Sequence, residues 1–353
     1  MKIQQVRRLG LSILVIFQVL TYADTPELDM DMSIYGFGAD STQVYALKGG
    51  MRFGVEAKGK ITKTLSYHGK MNIFFEEGTH TALNNSSYAT ATTYGIEEAE
   101  VIWQPLDFFK FNIGVHLIDI DHAPLFINAP SLGLGQTIDL VDYDNFELTI
   151  FARQNVVSVN STQSRTGKIG DRAAYYMLGG IRSKVMTSPF NLYFDYNYFS
   201  YEKLSAPLAE TSRFRGNTVT GTGDSASFFN DYKGHDISGA IEFSFLLHKI
   251  KFFAEYLNNS ESKDTGLLFG TKLSLTKNHA LRFDTFENEA DTLPAISVSP
   301  SYGGTNREGQ RASYIYNEGT STITIDYFKM NTIDSSIYQD DLQILSLEYS
   351  MDV

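Results

Sequence analysis

Cysteine is absent from this sequence, and tryptophan occurs once. Without cysteine there can be no disulfide framework, thiolate metal site or cysteine nucleophile. Proline is scarce at eight residues. The seven histidines never fall at the close spacing that marks a metal site, so no metal and no cofactor is expected. Basic charge is also short, with 29 Lys and Arg against 41 Asp and Glu, a net −12. A nucleic-acid partner demands a basic stripe, so that class is excluded. Past residue 20 there is no long apolar run, which excludes a helical membrane span. What the chain does have is 25 Phe, 21 Tyr and 28 Gly, a composition suited to β structure.

The first 23 residues read as a secretory leader. Lys2, Arg7 and Arg8 form a positive start, Leu9 to Leu20 an apolar stretch, and Thr21-Tyr22-Ala23 a cleavage site. About twelve apolar residues fall short of the roughly 20 that a transmembrane helix needs. Cleavage after Ala23 removes those three basic residues, which takes the net charge from −12 down by three to −15. Residues 24–353 are then one exported domain.

That domain alternates with a period of two. "MRFGVEAK" sets Met51, Phe53, Val55 and Ala57 against Arg52, Gly54, Glu56 and Lys58. "FFKFNIGVHL" sets Phe109, Phe111, Ile113, Val115 and Leu117 against Lys110, Asn112, Gly114 and His116. "AIEFSFLL", "STITIDYF" and the last twelve residues, "LQILSLEYSMDV", repeat the pattern. Alternation at 180° per residue identifies strands with one apolar face.

Connection lengths also alternate. Short turns at 104–107, 186–189, 247–249 and 276–279 are interleaved with long polar loops. The loops run near 79–92, 118–134, 158–171, 202–233, 287–308 and 329–338. Short turns at one end and long loops at the other are the pattern of an outer-membrane barrel. Counting reversals predicts about sixteen antiparallel up-and-down strands, the weakest at 29–38 and 134–143. In lipid such a sheet must close, because every backbone N–H and C=O has to be satisfied within the protein. The apolar face then turns outward and the polar face inward. Tyr67, Phe75, Trp103, Phe108, Tyr198 and Tyr349 are expected in aromatic girdles, or as plain lipid-facing bulk.

Three stretches carry a resemblance. "DMSIYGFGAD" (31–40) resembles the opening strand of the Gram-negative general diffusion porins. "EEAEVIWQPLDFFKFNIG" (97–114) resembles the hairpin before their inward-folded third loop, and the final strand is similar in its alternation. The resemblance implies a Gram-negative outer-membrane barrel, a homotrimer, and passive passage of small polar solutes through a lumen narrowed by the third loop. Two features depart from it. The chain ends in Val353 where these porins end in phenylalanine, and "HAPLFINAPSLGLG" (122–135) replaces their Pro-Glu-Phe-Gly loop signature.

The pore-lining candidates are Arg52, Lys70, Glu98, Glu100, Lys110, Asp119, Asp121, Arg153, Arg182 and Arg282. Separated opposite charges across a lumen order water and admit polar solutes. The plainer alternative is that most of these groups pair across strands and brace the wall. An acidic chain with Asp119 and Asp121 in the third loop predicts weak cation preference. Lipid and lipopolysaccharide are the expected surroundings, with Asp340-Asp341 able to hold bridging divalent cations loosely. A barrel that binds ligands through its long loops is the alternative function. A lipolytic reading of Ser225 in "GTGDSAS" with His235-Asp236 is weak, since the serine has no strand-turn-helix context.

Overall fold

The computed structural model describes residues 26–42, 45–80, 90, 93–118, 120–157, 174–245 and 248–353. The expected leader, 1–23, lies outside the described residues, as does Asp119.

Sixteen strands close into one antiparallel barrel. They are β1 Glu27–Asp40, β2 Tyr45–Lys60, β3 Leu65–His80, β4 Thr93–Leu106, β5 Phe109–His116, β6 Ser131–Tyr143, β7 Phe146–Val156, β8 Tyr175–Thr187 and β9 Phe190–Glu202. The wall resumes with β12 Lys233–Phe245, β13 His248–Asn259, β14 Thr265–Ser274, β15 His279–Asn288, β16 Arg307–Glu318, β17 Ser321–Thr332 and β18 Leu342–Asp352. Between them, in the fifth loop, lie helix α1 Ala206–Arg213 and the small hairpin β10 Val219–Thr220 and β11 Ser227–Phe228.

The circle closes where β18 pairs with β1, in a register that runs from Asp31↔Asp352 to Asp40↔Gln343. Val353 continues the pairing, its amide donating to the Met30 carbonyl at 2.9 Å. Both strands marked weak in the sequence are full members of the wall. Gly36 and Gly38 interrupt the apolar face of β1, and Gly133 and Gly135 the polar face of β6, which blurs the alternation in each.

Boundaries shift at the loop end. β18 starts at Leu342 rather than 338, because its preceding residues are tied into a turn. Arg307 donates to the Asp340 carbonyl there, and the Thr332 amide donates to Asp341 Oδ1 at 3.0 Å. Of the two aspartates expected to hold bridging cations, Asp341 is thus engaged through its carboxylate and Asp340 through its backbone carbonyl. β6 starts at Ser131 rather than 134, since Ser131 still pairs with His116.

Parity fixes the faces. Ile34, Met51, Phe53, Val55, Ile113, Ile241 and Leu345 are exposed on the outer wall. Their neighbours at odd offset point into the barrel. Such an apolar exterior is suited to lipid and would be a liability in water.

Candidate functional site: the barrel interior and its third loop

Residues 117–118 and 120–130, after β5, fold into the barrel and reach its far wall. The inward direction is set by partners that the loop could not meet from outside. His122 Nε2 lies 2.8 Å from Asp195 Oδ2 on β9. The Leu125 amide donates to Glu255 on β13 at 2.9 Å. Asp121 pairs with Lys251 of β13 and sits 3.7 Å from Arg282 of β15. Ile127 bridges to Val298 in the seventh loop, and the Asn128 amide donates to the Ser297 carbonyl. The third loop thus crosses the interior from the β5–β6 wall to the β9–β15 wall.

Asp121 shows how charge and burial combine here. Burial alone would raise its pKa. The Lys251 hydrogen bond, with the fields of Lys251, Arg282 and Lys272, holds the carboxyl below its ordinary range instead.

Around this crossing, the inner face departs from the polar lining expected from the sequence. Toward the loop end it turns apolar. Tyr176, Leu178, Phe199, Tyr201 and Leu257 of the wall pack against Ile118 and Phe126 of the third loop. Leu208 of α1, Tyr232, Leu293 and Val298 join the same cluster from the fifth and seventh loops. A second cluster seats Leu125 and Tyr302 against Phe253, Leu268, Phe286, Phe328 and Met330. Three loops therefore have a buried core of their own inside the barrel mouth. Tyr302 is held there by donating to Asp284 at 3.0 Å, and burial with that charge pushes its hydroxyl up to about 12.

Polar anchors complete the packing. Asn217 of the fifth loop donates to the carbonyls of Ala290 and Leu293 and accepts from the Ala295 amide, all in the seventh loop. Asp291 accepts from Tyr232, Asn230 and the Thr218 amide. Arg213, at the end of α1, reaches the Tyr338 hydroxyl in the eighth loop.

The sequence-selected charges fall as follows. Arg52 bonds Asp31 at 3.1 Å and lies 3.8 Å from Glu348, bracing the β2–β1–β18 closure. Lys70 pairs with Glu97 at 3.1 Å. Lys110 pairs with Asp139 at 3.0 Å, and Arg182 with Asp195 at 2.6 Å. Arg282 pairs with Asp284 and approaches Asp121. Arg153 and Arg182 both sit 5.9 Å from the Phe151 ring. Glu98 and Glu100 converge on His68. The structure thus brings Asp121 and Arg282 together, while Arg52, Lys70 and Lys110 are each engaged by a strand neighbour.

The pore-lining residues expected from the sequence do not include His122, which is paired with a carboxylate 73 residues away. Nothing local signals such partners. A histidine and several apolar residues within an otherwise polar loop were the available hint.

The hydrolytic constellation does not assemble. Ser225 Oγ donates to the Thr222 carbonyl within its own turn. His235 bonds Tyr196, and the next residue, Asp236, accepts from Asn197. Successive residues of a strand point to opposite faces, so His235 and Asp236 lie on opposite sides of the wall.

Comparison with solved structures finds the same architecture. OprB of Pseudomonas putida, at high pH, aligns at 10% identity over 96% of each chain with a TM-score of 0.61. OmpF of Salmonella typhi, in complex with daunomycin, aligns at 11% identity over 92% of this chain and 97% of that one, TM-score 0.53. OmpT, an outer membrane protein of Vibrio cholerae with loop L8 deleted, aligns at 10% identity over 94% and 100%, TM-score 0.51. No family model and no curated protein matches the sequence. The class defined by these observations is the closed sixteen-strand barrel with an inward third loop, the fold of the outer-membrane porins.

Proposed function

We propose that this chain is a diffusion channel in the outer membrane of a Gram-negative bacterium, passing small hydrophilic solutes and ions down their gradients. The observation that carries this reading is the third loop crossing the interior to pair Asp121 with Lys251 and Arg282. A loop drawn inside a closed barrel sets the passage. Charged groups of both signs at that crossing favour polar solutes over apolar ones. The packed core of the third, fifth and seventh loops supports a narrow passage rather than a wide one. Weak cation preference follows from the net acidic chain. The leader at 1–23 would direct export, with 24–353 forming the barrel. A homotrimer, embedded in lipid and lipopolysaccharide, is the assembly that the resemblance to general porins supports.

The test is planar-bilayer recording of the purified, folded protein under a salt gradient. Stepwise conductance with a reversal potential of cationic sign is expected. A folded preparation that gives no steps would favour a barrel that binds through its loops. Firm anion selectivity would overturn the charge assignment. Heat-modifiable migration and native mass measurement test the trimer.

A further inference from the structure

Along the chain the histidines are scattered, and spacing argues against a metal site. Strand pairing changes that. β3 and β4 place His68 directly opposite Glu100 and Lys70 opposite Glu98. The register then slips by one residue between Lys70 and Met71. In an even strand Glu97 and Glu98 would point to opposite faces. The bulge lets Glu97 turn to Lys70 at 3.1 Å while Glu98 turns to His68 at 2.8 Å.

We propose that His68, Glu98 and Glu100 form a binding site for a divalent first-row transition cation on the inner wall. One imidazole nitrogen and a carboxylate oxygen from each glutamate all lie within 4.8 Å of one another. Three protein ligands beside solvent leave a further coordination position for water, as open zinc sites do.

Two features outside the ligand set support the assignment. First, the remaining atoms of His68 and Glu100 are already held. His68 Nε2 lies 3.0 Å from Glu56, so that with Nε2 donating there the Nδ1 lone pair faces the glutamates. Asn112 donates to the other oxygen of Glu100 at 2.7 Å. A carboxylate behind a ligating imidazole is the usual outer support of such a site. Second, among the described residues no basic side chain other than His68 sits against the two ligand carboxylates. Lys58 serves Glu56 and Lys70 serves Glu97. Among the described residues, neither Glu98 nor Glu100 has a lysine or arginine at ion-pair distance, and Arg153 reaches them only through its longer-range field.

The donor set selects the ion. Magnesium and calcium take oxygen ligands, whereas imidazole with carboxylates suits zinc and its first-row neighbours.

The test is calorimetric titration of Zn²⁺ into the folded, detergent-solubilised barrel, prepared without a histidine tag and freed of metal by chelation. One Zn²⁺ per chain is expected, undisturbed by a large excess of Mg²⁺. His68→Ala should lose at least about tenfold in affinity. Glu56→Gln, which leaves all three ligands in place, should lose about 10–100-fold. His248→Ala, exposed at the start of β13, should bind as the parent does. Heat-modifiable migration confirms that each variant is folded, and Co²⁺ absorption reports the ligand set if a heat signal is small. Failure of the parent to bind, unchanged affinity in folded His68→Ala, or displacement by Mg²⁺ would each overturn the site. Because the readout is binding, the outcome is independent of whether the barrel conducts.

Discussion

The backbone amide of Leu125 donates to the buried carboxylate of Glu255 at 2.9 Å, joining the third loop to the opposite wall across 130 residues of sequence. Both partners are removed from water, so neither can exchange this bond for a solvent one. Leaving a buried donor unpaired costs about 1–3 kcal/mol. Glu255→Ala is expected to release the loop, lowering the thermal midpoint and raising open-channel noise. Glu255→Gln keeps an acceptor oxygen and should preserve both. Equal behaviour of the two variants would show that the bond does not anchor the loop.

Asp121→Asn removes the negative charge facing Lys251 and Arg282. Reversal potentials should move toward anions, with single-channel conductance changed less than selectivity. The pH dependence has a definite sign. The folded-state pKa of Asp121 is depressed, so its contribution to holding the loop is present above the unfolded value and lost as pH falls through the folded one. Selectivity in the parent should therefore persist below the pH at which an ordinary aspartate protonates. A parent that loses its preference already near neutral pH would contradict the assignment.

Asn217 ties the fifth loop to the seventh through two donated bonds and one accepted bond. Asn217→Ala orphans the buried Ala295 amide, again a cost of about 1–3 kcal/mol. The barrel closes without these loops, so the loss should stay local. Hydrogen exchange is expected to quicken over 206–213 and 289–298 while the strands keep their protection. Cooperative loss of the whole wall would mean that the loop core supports the barrel.

How far the sequence revealed this molecule depends on the scale at which each feature is encoded. Lipid outside and polar groups inside impose one parity on Met51, Phe53 and Val55, or on Leu345 and Leu347, so the strands are legible one at a time. Strand number follows from counting reversals. The inward apolar residues were not legible as core. Phe199, Leu257, Phe286 and Met330 stand on the face expected to be polar, and only loops distant in sequence explain them. The convergence of His68 on Glu98 and Glu100 was hidden for a related reason. It depends on cross-strand register and a one-residue bulge, neither of which leaves a motif along the chain.

The closing strand offers the sharpest test of the barrel itself. β18 bonds β17 on one side and β1 on the other, so its residues 343–351 serve two seams. Deleting 342–353 would open both and leave rows of N–H and C=O groups without partners in hydrocarbon. At several kcal/mol for each unsatisfied group, assembly should fail outright, with no heat-modifiable species and no conductance. A finer experiment separates closure from orientation. Leu345 is exposed on the outer wall, whereas Ser346 points inward, paired in register with Asp326. Leu345→Lys places a charge against lipid and should cost about 2–4 kcal/mol near the bilayer midplane. Ser346→Lys places the same charge beside a carboxylate in the interior and should be tolerated, with conductance altered and the unfolding midpoint little changed. If the two neighbours respond alike, the outward and inward faces of this strand have been assigned wrongly, and the charged interior would fall with them.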